Sequence, residues 1–356
     1  MTWRQTKRTP ARRPQRPEWR QWPQWREGAT SSSRRLALAA VVATCLMPAA
    51  AAAQASADGW PDRALRLVVP FSPGGTSDVL GRLLATHLSQ SLGQQVVVEN
   101  RPGANGNIGT QGVVTAPPDG YSLLLTFDGT MAINPHTYRK LAFDPQKDLV
   151  PVINAGQAAL VMVMHPDVKA RTVAEFVDMA KKDPGGVFYA SAGNGSTGHL
   201  AGELFAARAG INMTHVSYKG GAAALQDLLA GQIQMLVTAL PTVEGLLANG
   251  KVRALAVTPA QRVQAMKDVP TLAETYPGYA VSSWYGIVAP AGTPEPILTR
   301  LNTELDKIVK SKPVQERFMA LGVEPLGGSR DSFAQKIRDD SVMWGEVVRK
   351  AGVKVE

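Results

Sequence analysis

Leu65-Arg66-Leu67-Val68-Val69-Pro70-Phe71-Ser72-Pro73-Gly74-Gly75-Thr76-Ser77-Asp78 sets the organisation of the chain. Its first seven residues are an apolar run that predicts a buried strand. Pro73-Gly74-Gly75 predicts a sharp turn, and Thr76 to Asp78 the first residues of a helix. A strand that turns directly into a helix aims unpaired backbone N–H groups, and the positive end of the helix dipole, at whatever lies above the sheet edge. That is an anion site. The device recurs at Phe188-Tyr189-Ala190-Ser191-Ala192-Gly193-Asn194-Gly195-Ser196-Thr197-Gly198-His199, ahead of a helix expected over Leu200 to Ala209. Two such corners, each topping its own sheet, would face one another across a cleft.

Outward from the first corner, Leu80, Leu84, Leu88 and Leu92 mark one apolar helix face, and Gly93 a left-handed stop. Strands follow at Gln95 to Glu99 and Ser122 to Phe127, with a Gly/Asn-rich turn at Asn100 to Gly106 and a loop at Asp128-Gly129-Thr130. This β-α-β-α-β order implies a parallel sheet covered by helices, with ligands off the carboxyl ends of its strands. Val150 to Ala155 and Leu160 to Met164 read as two further apolar runs. A second βα series then runs from a helix at Val173 to Lys182 as far as a strand at Ala254 to Val257. Ser283 to Ala289 reads as a strand returning to the first sheet. Helices from Thr293-Pro294 and over Asp331 to Lys350 close the chain.

At 356 residues and 44% hydrophobic, the chain has enough apolar material for a folded core in two domains. The net charge of +9 suggests a polyanion partner, but its distribution argues otherwise. Residues 1–57 carry ten of the 38 basic side chains and two of the 29 acidic ones, so the rest of the chain is almost neutral and nucleic-acid binding by it is not expected. The basic block leads into the uncharged run Leu36 to Met47 and then Ala53-Gln54-Ala55-Ser56-Ala57. That is the pattern of a secretory signal cleaved after Ala57 or Ala55, and it is too short for a membrane span. The single cysteine, Cys45, falls inside it, so the exported chain has no thiol for a disulfide, a nucleophile or a metal.

Two constellations need weighing. Gly193-Asn194-Gly195-Ser196-Thr197-Gly198 satisfies G-x-G-x-x-G, but the acid a dinucleotide site needs at the end of the next strand is missing: that strand ends in Ser217-Tyr218-Lys219, and no acid follows until Asp227. Ser191, Ser196 and His199 suggest a hydrolase, yet neither serine has glycine two residues before and two after, as a nucleophile elbow requires. A capping hydroxyl and a packed imidazole are the plain reading. The five histidines show no metal-ligand spacing, and neither metal nor cofactor is expected. Asp78, in the first helical turn, reads as a cap.

Trp60-Pro61-Asp62-Arg63, the corner Val69 to Asp78, and Val98-Glu99-Asn100-Arg101-Pro102-Gly103-Ala104-Asn105-Gly106-Asn107-Ile108-Gly109 resemble the Bug-type substrate-binding proteins of tripartite tricarboxylate transporters. So do Pro118-Asp119-Gly120-Tyr121, Ser191 to Ser196 with His199-Leu200-Ala201, Tyr218-Lys219-Gly220, and Ser283-Trp284-Tyr285-Gly286 with Ala289-Pro290. The resemblance runs through essentially all of 58–356. It implies an α/β, two-lobed periplasmic-binding-protein fold of type II, the Venus flytrap, each lobe a mostly parallel sheet flanked by helices. The expected division is 1–57 for the basic extension and signal, 58–162 and 284–356 for lobe 1, and 163–283 for lobe 2. It implies a periplasmic, monomeric receptor that hands a small carboxylate to membrane permease subunits, without catalysis. Carried over residue by residue, Phe71, Gly75, Thr76, Ser77 and Asp78 form the first grip. Ser191, Ala192, Asn194, Ser196, Thr197 and His199 form the second, with Thr126, Asp128, Lys219 and Gly220 at the rim.

The chain departs from the family pattern at Val237-Thr238-Ala239-Leu240-Pro241, where relatives often carry an acid, and at Phe127-Asp128-Gly129-Thr130-Met131, where it gains one. An Asp128 at the rim would repel a second carboxylate or hold the ammonium of an amino-acid-like ligand. Two other readings stay open on sequence: a periplasmic hydrolase using Ser196 and His199, and a ligand-sensing partner of a membrane kinase that uses the same pocket.

Overall fold

The computed structural model describes residues 59–351. The signal and basic extension expected over 1–57, Cys45 included, lie outside them. The described residues belong to one compact unit.

The first corner forms as its sequence predicts. Strand β1 (Leu65–Val69) turns through Gly74, at φ 81°, into helix α1 (Thr76–Leu92). Leu80, Leu84, Leu88 and Leu92 are buried on one face of α1, and left-handed Gly93 ends it by donating its amide to the Ser89 carbonyl. β1 pairs in parallel with β2 (Val96–Asn100) and β3 (Ser122–Phe127).

Between β2 and β3 the expected turn is followed by a helix, α2 (Asn107–Val114). The loop expected at Asp128 is instead a wide helical turn, Gly129–Ile133, running into Asn134–Thr137. All five residues of that wide turn are buried, so their amides must bond within the chain, and a helical turn does this where a loop would not.

The two apolar runs expected around residue 157 are one strand, β4 (Leu149–Met164). Shifts of register near Val152 and Ala155 let this 16-residue strand twist while staying continuous. Its first part pairs antiparallel with β9 (Ser282–Pro290) and with β10 (Val323–Pro325), and its last part with β7 (Met235–Ala239) and β8 (Arg253–Val257). Beyond β7 lie β5 (Phe188–Ser191) and β6 (Thr214–Ser217), both parallel to their neighbours. The strand order is β2-β1-β3-β9-β4-β7-β5-β6. Each half of the sheet thus keeps a parallel set of three strands, and the antiparallel β4 and β9 join the halves.

The first half packs Leu67, Leu84, Leu125 and Leu301 into one core, and the second packs Phe176, Tyr189, Phe205 and Tyr279 into another. Helices α3 (Val173–Lys182), α4 (Thr197–Ala209) and α5 (Gly221–Leu229) cover the second half, while α6 (Glu295–Lys310) lies against α1. A further helix, α7 (Lys312–Ala320), was not expected; it presents only Val314 and Phe318 to the core. The last helix, α8 (Arg330–Ala351), straddles both halves, with Phe333 and Ile337 in the first and Trp344 and Val348 in the second.

No helix among the described residues is long and apolar enough to cross a membrane, and no group of three His, Cys, Asp or Glu among them is placed to hold a metal ion.

Candidate functional site

The two strand-to-helix corners open on one cleft. From the first half it is lined by Phe71, Gly75, Thr76 and Ser77 at the start of α1, with Phe127 behind them. From the second come Ala192, Ser196, Thr197 and Gly198 at the start of α4. Thr238, Ala239 and Thr242 close a further wall, and Ser283 and Tyr285 of β9 form the floor. The cleft volume is about 40 Å³, room for a few water molecules, so the halves are drawn closely together.

Contacts cross between them at several points. The Thr76 amide donates to Thr242 Oγ1 at 3.1 Å, with the two hydroxyls 2.9 Å apart. At the mouth, the Lys219 carbonyl accepts from both the Ser72 amide (3.3 Å) and the Ser72 hydroxyl (2.9 Å).

The backbone supplies the donors. The Gly74 amide is taken by Asp78 Oδ2 and the Thr76 amide by Thr242, but those of Gly75 and Ser77 find no acceptor among the described residues. On the opposite corner the Asn194 amide bonds Ser217 Oγ, that of Gly195 bonds His199 Nδ1 and that of Ser196 bonds the Gly193 carbonyl. The amides of Thr197 and Gly198 remain unspent. Gly198 is required in this position: a Cβ there would lie 2.5 Å from the Val237 carbonyl oxygen.

Seven of the expected residues therefore line the cleft: Phe71, Gly75, Thr76, Ser77, Ala192, Ser196 and Thr197. Asp78 braces the turn from behind. Burial works to raise its pKa, but hydrogen bonds from Arg82, the Gly74 amide and Asn100 outweigh it and hold the carboxyl below its usual range. Ser191 and His199 sit behind the second corner. Ser191 Oγ lies 2.8 Å from His215 Nε2, and the His199 ring stacks on His215 with centroids 3.9 Å apart. Burial pushes His199 down to about 4, and burial together with His199 pushes His215 down to about 3. Asn194 is exposed and bonded through its amide, and Lys219 with Gly220 shapes the mouth through backbone alone.

Two placements at the rim need correction. Thr126 and Asp128 are each 1% exposed: Thr126 is enclosed within β3, between β1 and β9, and the helical turn after β3 carries Asp128 beneath the floor. Burial pushes the Asp128 carboxyl up to about 7, with the Ser283 and Thr197 hydroxyls pulling back.

The wall at Thr238 to Thr242 and the floor residue Ser283 were not anticipated as lining. The departure of Val237 to Pro241 from the family pattern was the one signal that pointed there. Nor is there a serine–imidazole pair at Ser196. Its hydroxyl caps α4 by accepting from the His199 amide (3.2 Å) and donates to Ser191 Oγ (3.1 Å), while the His199 ring faces Gly195.

A profile of the family described as "Tripartite tricarboxylate transporter family receptor" matches residues 80–353. Protein BugT of Bordetella pertussis is 37% identical over 321 residues, covering 90% of this chain and 98% of that one. Among solved structures, R. palustris Rpa4515 with adipate is 38% identical at a TM-score of 0.81, covering 83% of this chain and 99% of that one. The periplasmic binding protein BugD is 34% identical at 0.80, covering 83% and 100%. The architecture is thus that of the two-lobed α/β periplasmic binding proteins, of which BugD is one.

Proposed function

The chain belongs to the tripartite tricarboxylate transporter receptor family, and from that premise we propose that its cleft captures a small organic acid and delivers it to membrane permease subunits. It is a solute-binding receptor, not an enzyme. The observation that carries the ligand class is the four unspent amides of Gly75, Ser77, Thr197 and Gly198, two from each helix start, lining one cleft. Each start carries about half a positive charge, and a hydrogen bond from an amide to a carboxylate is worth about 1.5–3 kcal/mol. A carboxylate held between them satisfies both corners and ties the lobes together. Adipate in a relative of similar fold agrees with this reading.

The lobes are taken as 58–162 with 284–356, and 163–283, hinged where β4 and β9 run between them, with the end of α8 leaning on the second lobe. A cleft of about 40 Å³ is small for a dicarboxylate, so we take opening about these strands to precede binding. The receptor acts as a monomer in the periplasm after a signal is removed near Ala57.

Titration calorimetry and thermal melts with a panel of mono- and dicarboxylates test the reading. A bound member raises the melting temperature by mass action. If no carboxylate in the panel binds, the reading fails.

A further inference from the structure

Asp128 does not reach the cleft, yet two cleft residues depend on it. Its Oδ1 accepts from Thr197 Oγ1 at 2.8 Å and from Ser283 Oγ at 2.6 Å, while Oδ2 has no partner among the described residues. Thr197 stands at the start of α4 and Ser283 on β9, and both line the cleft. A hydroxyl has one proton to give. Both have given theirs to Asp128, so toward the cleft they offer only lone pairs. Ser196, on the same wall, has likewise turned its proton away, to Ser191.

The rest of the lining has the opposite polarity. The amides of Gly75, Ser77, Thr197 and Gly198 are unspent, and the hydroxyls of Ser77 and Thr238 have no hydrogen-bond partner among the described residues. The cleft therefore has a donor side, at the helix starts, and an acceptor patch, where Thr197 and Ser283 meet.

We propose that Asp128 is a specificity-determining positioning residue: by holding the Thr197 and Ser283 protons it turns the cleft floor into an acceptor, which selects a carboxylate that also carries a hydrogen-bond donor, a hydroxyl or an ammonium. This rests on the carboxylate reading above and narrows it. A ligand whose remaining polar groups are all acceptors leaves the patch unpaired and brings lone pairs against lone pairs, and a buried polar group left without its partner is what binding sites discriminate against most strongly.

The test compares matched probes by titration calorimetry: succinate against L-malate and L-aspartate, and glutarate against 2-hydroxyglutarate and L-glutamate. In each series that binds, at least one donor-bearing member binds about tenfold or more tighter to the wild-type protein. The malate and aspartate arms separate a hydroxyl from an ammonium. Asp128→Ala frees both protons to turn into the cleft, and the ratio falls below about threefold. Asp128→Asn keeps an oxygen acceptor and restores the ratio, which a purely structural role for Asp128 does not predict.

Should Asp128→Ala fail to fold, Ser283→Ala removes half of the acceptor patch, and the ratio falls there too. Equal or reversed preference in the wild type, or an unchanged ratio in Asp128→Ala or Ser283→Ala, overturns the inference while leaving a carboxylate receptor standing. Absence of binding by every probe overturns the receptor reading and this inference with it.

Discussion

Thr76 and Thr242 clasp one another across the cleft, the Thr76 amide 3.1 Å from Thr242 Oγ1 and the two hydroxyls 2.9 Å apart. One residue begins α1 and the other ends the turn after β7, so the pair exists only while the two halves are together. Thr242→Val keeps the shape and removes the acceptor, leaving the Thr76 amide unpaired in the closed form. The loss of one such bond costs about 1 kcal/mol, or about fivefold in affinity. Calorimetry with any carboxylate that binds should show that weakening, with the melting temperature of the ligand-free protein little changed. An unchanged affinity would mean that closure is held elsewhere.

Buried titratable groups on either side of the cleft give stability two opposed pH dependences. Asp128 is raised from its ordinary value to about 7, so its contribution is complete below the unfolded carboxylate value near 4 and is lost as pH rises through 7. His199 and His215 are depressed to about 4 and about 3, so theirs is complete above 6.5 and lost as pH falls through those values. Asp128 is the one of the three that makes stability fall as pH rises, chiefly between about pH 4 and 7. Relative to Asp128→Asn, the wild-type melting temperature should therefore fall as pH rises from about 4 to 7, and the difference between the two proteins should be constant above about pH 8. In Asp128→Asn the histidines act unopposed, and stability should fall as pH drops from about 6.5 toward 4, where the unfolded chain takes up protons that the buried imidazoles refuse. Wild-type and Asp128→Asn melting curves that run parallel from about pH 4 to 7 would remove Asp128 from this account.

What the sequence disclosed about the fold depends on how local each cause is. Helix α1 was readable because Leu80, Leu84, Leu88 and Leu92 repeat with the helical period and Gly93 stops it, all within one segment. β3 was readable to the residue, from the apolar Leu123 to Leu125 and Phe127 set just before the Asp128-Gly129 break. β4 was not, because Gly156 and Gln157 interrupt its apolar pattern where Gly156 packs against the Glu324 backbone, a partner far along the chain. α7 escaped because only Val314 and Phe318 turn inward from an otherwise polar stretch.

The same rule governs the site. Amides at a strand-to-helix corner follow from the corner, so Gly75, Ser77 and Thr197 could be named in advance. That Thr242 stands against Thr76 follows only from how the two halves of the sheet meet. Likewise an acid after β3 reads as a solvent-facing rim residue, and only the helical turn at Gly129–Ile133 buries Asp128.

The two helix starts differ in how much room their glycines have. A methyl at Gly75 would meet nothing nearer than the Ser72 carbonyl oxygen at 3.6 Å, so Gly75→Ala should fold with little change in melting temperature. A methyl at Gly198 would stand 2.5 Å from the Val237 carbonyl oxygen, which belongs to β7 and cannot swing aside. Gly198→Ala should push the start of α4 off the sheet, costing about 1–3 kcal/mol in stability and carrying the Thr197 and Gly198 amides out of register with a bound carboxylate. Parallel melts and titrations of the two variants check this. Equal behaviour would show that the α4 start is not held against β7.

Thr172 and Ser196 separate capping from binding. Thr172 caps α3 by accepting from the Glu175 amide at 3.2 Å, and Ser196 caps α4 by accepting from His199 at the same distance. Only the second cap lines the cleft. Replacing either by alanine should cost about 1 kcal/mol, seen as a lowering of the melting temperature by about 2–4 °C. Their effects on affinity should diverge. Thr172→Ala leaves the titration curve where it was. Ser196→Ala frees the first turn of α4 to fray, so the Thr197 and Gly198 amides are no longer held ready, and affinity falls severalfold beyond what the melt accounts for. If Ser196→Ala lowers stability and leaves affinity untouched, the carboxylate is not gripped by the start of α4, and the second corner serves the fold alone.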